Sequence, residues 1–224
     1  SKTLRALLLA ACVLASRVFA AAPEPQEASR PDARLAAADL QADVDVLEQA
    51  YTALHPGLYR YNTPRRMAGH FAALRRALGH DQTLGEAYVA FSQFAAKVRC
   101  GHTYANFNNQ PEPVLAVLLR GTNRVPFRFR WLGKRMVITR NLSDDPRLVP
   151  GTEVLAIEGV PTARILDRLM TVARADGHND GKRRADLEVG GMDRYTAFDL
   201  FLPLFFPQVD ERLTLRMRSP GARA

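Results

Sequence analysis

Apolar residues recur every three or four positions before about Thr103 and at every second position beyond it, so this chain must form helices first and sheet afterwards. Leu40, Val44, Leu47, Tyr51 and Leu54 share a helical spacing, and His55-Pro56-Gly57 ends that helix because proline offers no amide to continue it. Thr63 caps a second helix with Pro64 in its first turn, where an amide is dispensable; Met67, Phe71, Leu74 and Leu78 form one face before Gly79. The third opens at Thr83 with Glu86 three residues on, a capping box, and carries Ala87, Phe91, Phe94 and Val98 before Gly101. Three apolar stripes joined by short links predict a small helical subdomain over 39–104.

A connector at 105–124 precedes the change of texture. Val125, Phe127, Phe129 and Trp131 alternate with Arg128 and Arg130, Gly133-Lys134 turns the chain, and Met136 to Thr139 returns as the second arm of a hairpin. Pro150-Gly151 leads into a strand from Thr152 to Pro161 that ends in a glycine turn, and a helix follows through Ile165, Leu166 and Leu169. Polar, Gly- and Asp-rich composition from Ala175 to Gly191 predicts a loop or mobile excursion. Tyr195, Phe198, Leu202, Phe205 and Phe206 lie on helical spacing, either as core or as a greasy docking surface, and Leu213, Leu215 and Met217 alternate as a last strand. The expected class is α+β, a small N-terminal helical bundle followed by a β module with inserted helices over 125–218 and a tail at 219–224.

The N-terminal segment has the layout of a secretory signal peptide over 1–20: Lys2 and Arg5, an apolar run from Ala6 to Ala15, and small residues about Ala20. The run is too short for a bilayer span and Arg17 interrupts it, so no stable membrane span is expected. Leu9-Ala10-Ala11-Cys12 offers an alternative, anchoring through a lipid on Cys12. Pro23 to Ser29 has no periodicity, and 21–38 reads as a flexible tether. Export implies a periplasmic or secreted protein. With Cys12 gone, Cys100 is the single thiol left and no internal disulfide can form. No acid lies in the first twenty residues, so losing Lys2, Arg5 and Arg17 lowers the formal charge of +8 by three to +5. The remaining bases are interleaved with acids, a solvated surface and not a nucleic-acid stripe.

Two segments carry a resemblance. Leu54-His55-Pro56-Gly57-Leu58-Tyr59, with the helix that ends in Cys100-Gly101-His102-Thr103, and Pro150 to Val160, in that order behind a signal peptide, resemble the C-terminal-processing and tricorn-like serine peptidases. In that family a helical subdomain precedes a PDZ-like module, and the second segment is similar to the carboxylate loop and strand of such modules. The resemblance covers about residues 39–218 and implies a PDZ-like fold for 125–218. It implies His102 as the general base of the triad, a role suited to an imidazole poised near neutral pH. It further implies that Pro150, Gly151 and Thr152 hold the terminal carboxylate of a peptide adding as a strand. Gly101 stands where the tricorn pattern has a serine assisting the base.

A base needs a nucleophile. Ser29 lies in the tether, Ser92 inside the third helix, Ser143 in a turn and Ser219 near the end, and none is in a glycine-flanked strand-to-helix turn. In the family that turn lies downstream of the PDZ-like module. The expectation is therefore the N-terminal portion of an exported serine-type endopeptidase, inactive alone, whose partners are a polypeptide substrate and a missing downstream catalytic domain. The alternative is a stand-alone peptide-binding module that cuts nothing. Neither cofactor nor metal is expected: His178 with Asp176 and Asp180 matches no tight ligand set. Without the family context Gly101-His102-Thr103 is a helix C-cap, His55 closes a helix, His70 and His80 are solvated, and Cys100 is a small packed residue.

Overall fold

The computed structural model describes residues 34–106, 109–118, 124–190, 196–209 and 212–222. The expected signal peptide, Cys12, Ser29, Tyr195 and all of the expected tether before Arg34 lie outside the described residues. Arg34 and Leu35, assigned to the tether, instead form β1 (Arg34–Leu35), which pairs antiparallel with β2 (Gln82–Thr83). Helix α1 (Ala37–Leu54) starts directly afterwards, and since Ala36 supplies no side-chain cap, the Asp81 carboxylate accepts from the Ala37 amide at 2.9 Å.

Helices α2 (Pro64–Ala77) and α3 (Leu84–Val98) begin where their caps predict. Thr63 accepts from the Arg66 amide, and Thr83 and Glu86 form the reciprocal capping box. The backbone and hydroxyl bonds from Thr83 hold the Glu86 carboxyl below its ordinary range. Gln41 of α1 donates to the last carbonyls of α2, at Arg75 and Leu78. Leu40, Val44, Leu58, Met67, Phe71, Leu74, Leu78, Ala87, Phe94 and Val98 fill the space between the three helices, with the Phe71 and Phe94 rings 4.6 Å apart. Leu54 departs from the expected stripe: it ends α1 in solvent, 78 % exposed.

Beyond the bundle the predicted connector contains a helix, α4 (Glu112–Leu118), whose Leu118 is buried in a second core. Strands β3 (Phe127–Leu132) and β4 (Arg135–Asn141) make the expected hairpin about Gly133, at φ 64°. The strand β5 (Glu153–Ile157) is central to the sheet. It turns through Glu158 and Gly159, both at positive φ as a two-residue hairpin requires, into β6 (Val160–Pro161). β5 pairs with β4 and β6, and with β7 (Leu215–Arg218) antiparallel. Helices α5 (Thr162–Leu169) and α7 (Ala197–Phe205) cover the sheet, burying Ile165, Leu169 and Phe198 against Phe127, Phe129, Met136 and Ile157. Phe205 is partly buried and Phe206 fully, both packed in this core, so the core reading of the aromatic helix holds.

The α+β class is as expected. Ala175 to Gly191, read as a loop or mobile excursion, holds helix α6 (Asp180–Asp186) and buries Arg183, Leu187 and Val189. Its low apolar content hid it: besides Leu187 and Val189, the segment is fastened by polar bonds to α3 and β3. Bundle and sheet have separate cores, but helix α3 contributes to both. While Ala87, Phe94 and Val98 of α3 face the bundle, Tyr88 enters the second core, stacks on Phe201 at 5.7 Å and donates to the Ala105 carbonyl at 2.7 Å. Burial pushes the Tyr88 phenol well above its usual range. A side chain on Gly85 would meet Leu204 of α7 at 3.0 Å, which is how closely the two helices approach.

Candidate functional site around His102

Helix α3 ends at Arg99, left-handed at φ 64°, and its last carbonyls must find donors outside the helix. The Asn62 amide donates to the Lys97 and Val98 carbonyls, Arg183 of α6 reaches the Ala96 carbonyl, and the Gly177 amide bonds the Arg99 carbonyl at 2.9 Å. Burial and then the neighbouring Arg99 charge lower the Arg183 pKa. Next comes the turn that carries His102. The Gly101 amide donates to Asp176 Oδ1 at 3.0 Å and the Thr103 amide to the Cys100 carbonyl at 3.0 Å. His102 itself is exposed, and no hydrogen bond among the described residues ends on its ring. The turn is thus pinned on both sides of an imidazole that remains free.

His55 supplies the second pin, a role that the reading of a mere helix stop missed. Its Nε2 lies 2.8 Å from Thr103 Oγ1, and its Nδ1 accepts from the Gly57 amide at 3.2 Å. A neutral ring that accepts at Nδ1 carries its proton on Nε2, so His55 donates to the Thr103 hydroxyl and does not withdraw its proton. It orders the turn and is not a base toward Thr103. The sole local hint was a glycine two residues after the histidine, close enough for its amide to reach back to the ring.

The segment after α5 completes this pole. The Arg174 guanidinium lies 3.4 Å from the centre of the Tyr104 ring, Asp176 holds Gly101, and Gly177, at φ 57°, packs where a Cβ would strike the Tyr61 ring at 3.0 Å. The position where the tricorn pattern has a serine, Gly101, would place a Cβ 3.4 Å from Asp176 Oδ2. The carboxylate thus stands beside that position. No signal in the sequence near residue 102 could point to Arg174 or Asp176, since the fold brings them together across more than seventy residues.

Pro150, Gly151 and Thr152 lie elsewhere, at the entry to β5. Proline has no amide to give, the Gly151 amide donates to the Ile138 carbonyl at 2.8 Å, and the Thr152 amide to the Val149 carbonyl at 3.1 Å. Thr152 is buried, and Pro220 packs 3.5 Å from where a Gly151 side chain would begin. A carboxylate arriving here would have to displace the sheet's own bonds. Strand addition beside β3 meets a similar obstacle: the Phe129 amide donates to the Val189 carbonyl, the Trp131 amide to Glu188 Oε1, and the Trp131 indole to the Leu187 carbonyl. Residues 187–189 occupy that edge.

Ser92 is buried in α3, Ser143 sits in a turn closed by Asn141, and Ser219 is exposed after β7; none bonds to His102. Cys100 is a free, partly buried thiol beside Tyr51. His80 is exposed and within 3.1 Å of Gln82 Nε2, whereas His70 is partly buried; burial, then Lys97, Arg66 and Arg99, push its pKa down. No group of His, Cys, Asp or Glu among the described residues is arranged to hold a metal, and no described helix is long and apolar enough to cross a membrane. Compared with models of known protein families, with curated proteins and with solved structures, the chain matches none of them.

Proposed function

We propose that this chain carries the general-base side of an exported serine-type endopeptidase centre of the tricorn-like, C-terminal-processing kind. His102 is the base, the sheet and its helices are the PDZ-like module, and the nucleophilic serine comes from outside the described residues. One observation supports the reading above the others: the His102 ring is exposed and unbonded on a turn that Asp176 and His55 hold from either side. A general base works when a free ring nitrogen is held at a fixed place before the hydroxyl arrives, and such proton transfer contributes on the order of 10²–10⁴ in rate. A helix cap would spend its imidazole on the last carbonyls, and here Asn62, Arg183 and Gly177 already serve them. The alternative, a stand-alone peptide-binding module, requires a carboxylate loop with amides to spare, and those of Gly151 and Thr152 are bonded within the sheet.

The test is active-site labelling by a fluorophosphonate of the product of the complete open reading frame that contains this sequence. Wild type is expected to label at a glycine-flanked serine, and His102→Ala to slow labelling by about 10²-fold or more with an unchanged urea midpoint. Equal labelling of the two proteins removes His102 from the chemistry, and absence of any labelled serine removes the peptidase reading.

A further inference from the structure

Arg174 is the feature of this pole that neither the turn nor the cores use. Its side chain is partly buried, its guanidinium stacks 3.4 Å above the Tyr104 ring centre, and it makes no hydrogen bond or ion pair among the described residues. An arginine held flat on an aromatic face keeps its N–H fork directed outward in one plane, a geometry matched to a carboxylate. Two more guanidiniums, those of Arg60 and Arg99, are fixed about Gly177, three residues on. Arg60 lies over the Tyr61 ring and Arg99 donates to the Gly177 carbonyl, while the acid on this strand of the pole, Asp176, commits Oδ1 to the Gly101 amide. Tyr104 follows His102 by two residues, so their Cα atoms are at most about 7.6 Å apart.

We propose that Arg174, backed by Tyr104, binds a carboxylate of the polypeptide brought to His102. The site would then select substrates with an acidic group, a chain terminus or a Glu or Asp side chain, next to the bond that is cut. The selection rests on the peptidase reading above, but carboxylate binding does not depend on catalysis and is measured apart from it. The Arg174–Tyr104 pair is distinct from Pro150-Gly151-Thr152, whose amides are spent. It gives the chain a carboxylate anchor on the same pole as its free imidazole.

The experiment uses the isotope-labelled chain, reading the Arg174 Nε–Hε and His102 ring signals by NMR. Three N-acetylated apolar tetrapeptides are titrated: one with a free C-terminal carboxylate, one amidated, and one amidated with an internal Glu. Saturable shifts are expected for at least one acidic peptide, with the neutral amide weaker by about tenfold or more. Which acidic peptide binds tells a terminal from a side-chain carboxylate. Arg174→Gln should erase the preference and Arg174→Lys reduce it, since an ammonium keeps the charge and loses the fork. Equal binding of acid and amide, undiminished preference in Arg174→Gln, or no saturation up to about 10 mM overturns the proposal. Failure of the peptidase reading would appear instead as labelling indifferent to His102, with the carboxylate preference intact.

Discussion

His55 and Asp199 illustrate how one side chain can work for or against the fold. Removing the His55 ring in His55→Ala deletes the bond to Thr103 and the one from Gly57, and the urea midpoint should fall by the equivalent of about 1–2 kcal/mol. Nitrogen-15 spectra of the wild type should show the Nε2–H tautomer. Asp199, at the start of α7, is buried with Oδ1 lacking a partner while Thr196 donates to Oδ2, and burial raises its pKa. A carboxyl with a raised folded pKa destabilises in full above that pKa, and the penalty fades as pH falls from there to below the unfolded pKa of about 3.9. Asp199→Asn is therefore expected to raise Tm at pH 7, with the gain vanishing near pH 3; no gain at neutral pH would show that the carboxylate is solvated. At this scale the sequence was partly legible. Thr63, Thr83 and Glu86 announce themselves because a cap binds its own helix, whereas Asp176 and Arg174 act on residues far away in the chain and leave no local sign.

Among the elements, β5 depends on one acid. Glu153 is buried between Arg135 of β4, at 2.8 Å, and Arg218 of β7, at 2.6 Å, and these bonds depress its pKa, Arg135 first. A depressed carboxylate contributes stability that is fully present above its unfolded pKa and lost as pH falls through the folded one. Acid should therefore loosen β4 and β7 from β5. Glu153→Gln should flatten the stability profile below about pH 4.5, and a profile as steep as that of wild type would assign the acid response to other groups. Helix α3 offers a plainer measurement: Thr83→Ala removes the hydroxyl that accepts from the Glu86 amide, leaves the backbone bond to the Glu86 carboxylate, and should cost about 1 kcal/mol. Long periodic elements were readable because burial writes their period into the chain. Helix α6, DGKRRAD, was not, since it sits by polar contacts: Arg183 on the Ala96 carbonyl and Lys182 on Asp186 within its own turn.

For the whole molecule, the sequence suggests a border near residue 104, and helix α3, which precedes it, packs into the cores on both sides. Helix α3 has an apolar stripe on one side, visible as Ala87, Phe94 and Val98, while Tyr88 on the other side counts as apolar only once it meets Phe201. Sharing a helix should make the chain unfold as one unit. Trp131, the single tryptophan, is buried in the sheet core, and far-UV circular dichroism reports mainly the helices. Their urea transitions are expected to coincide, and a helical signal that outlasts the tryptophan signal would restore the two-unit description. For a ribosome making this chain, the shared helix becomes a matter of timing. The three-helix bundle can close once Arg99 has emerged, but the Tyr88 flank of α3 must then wait, greasy and uncovered, for about a hundred further residues until α7 arrives to shelter it.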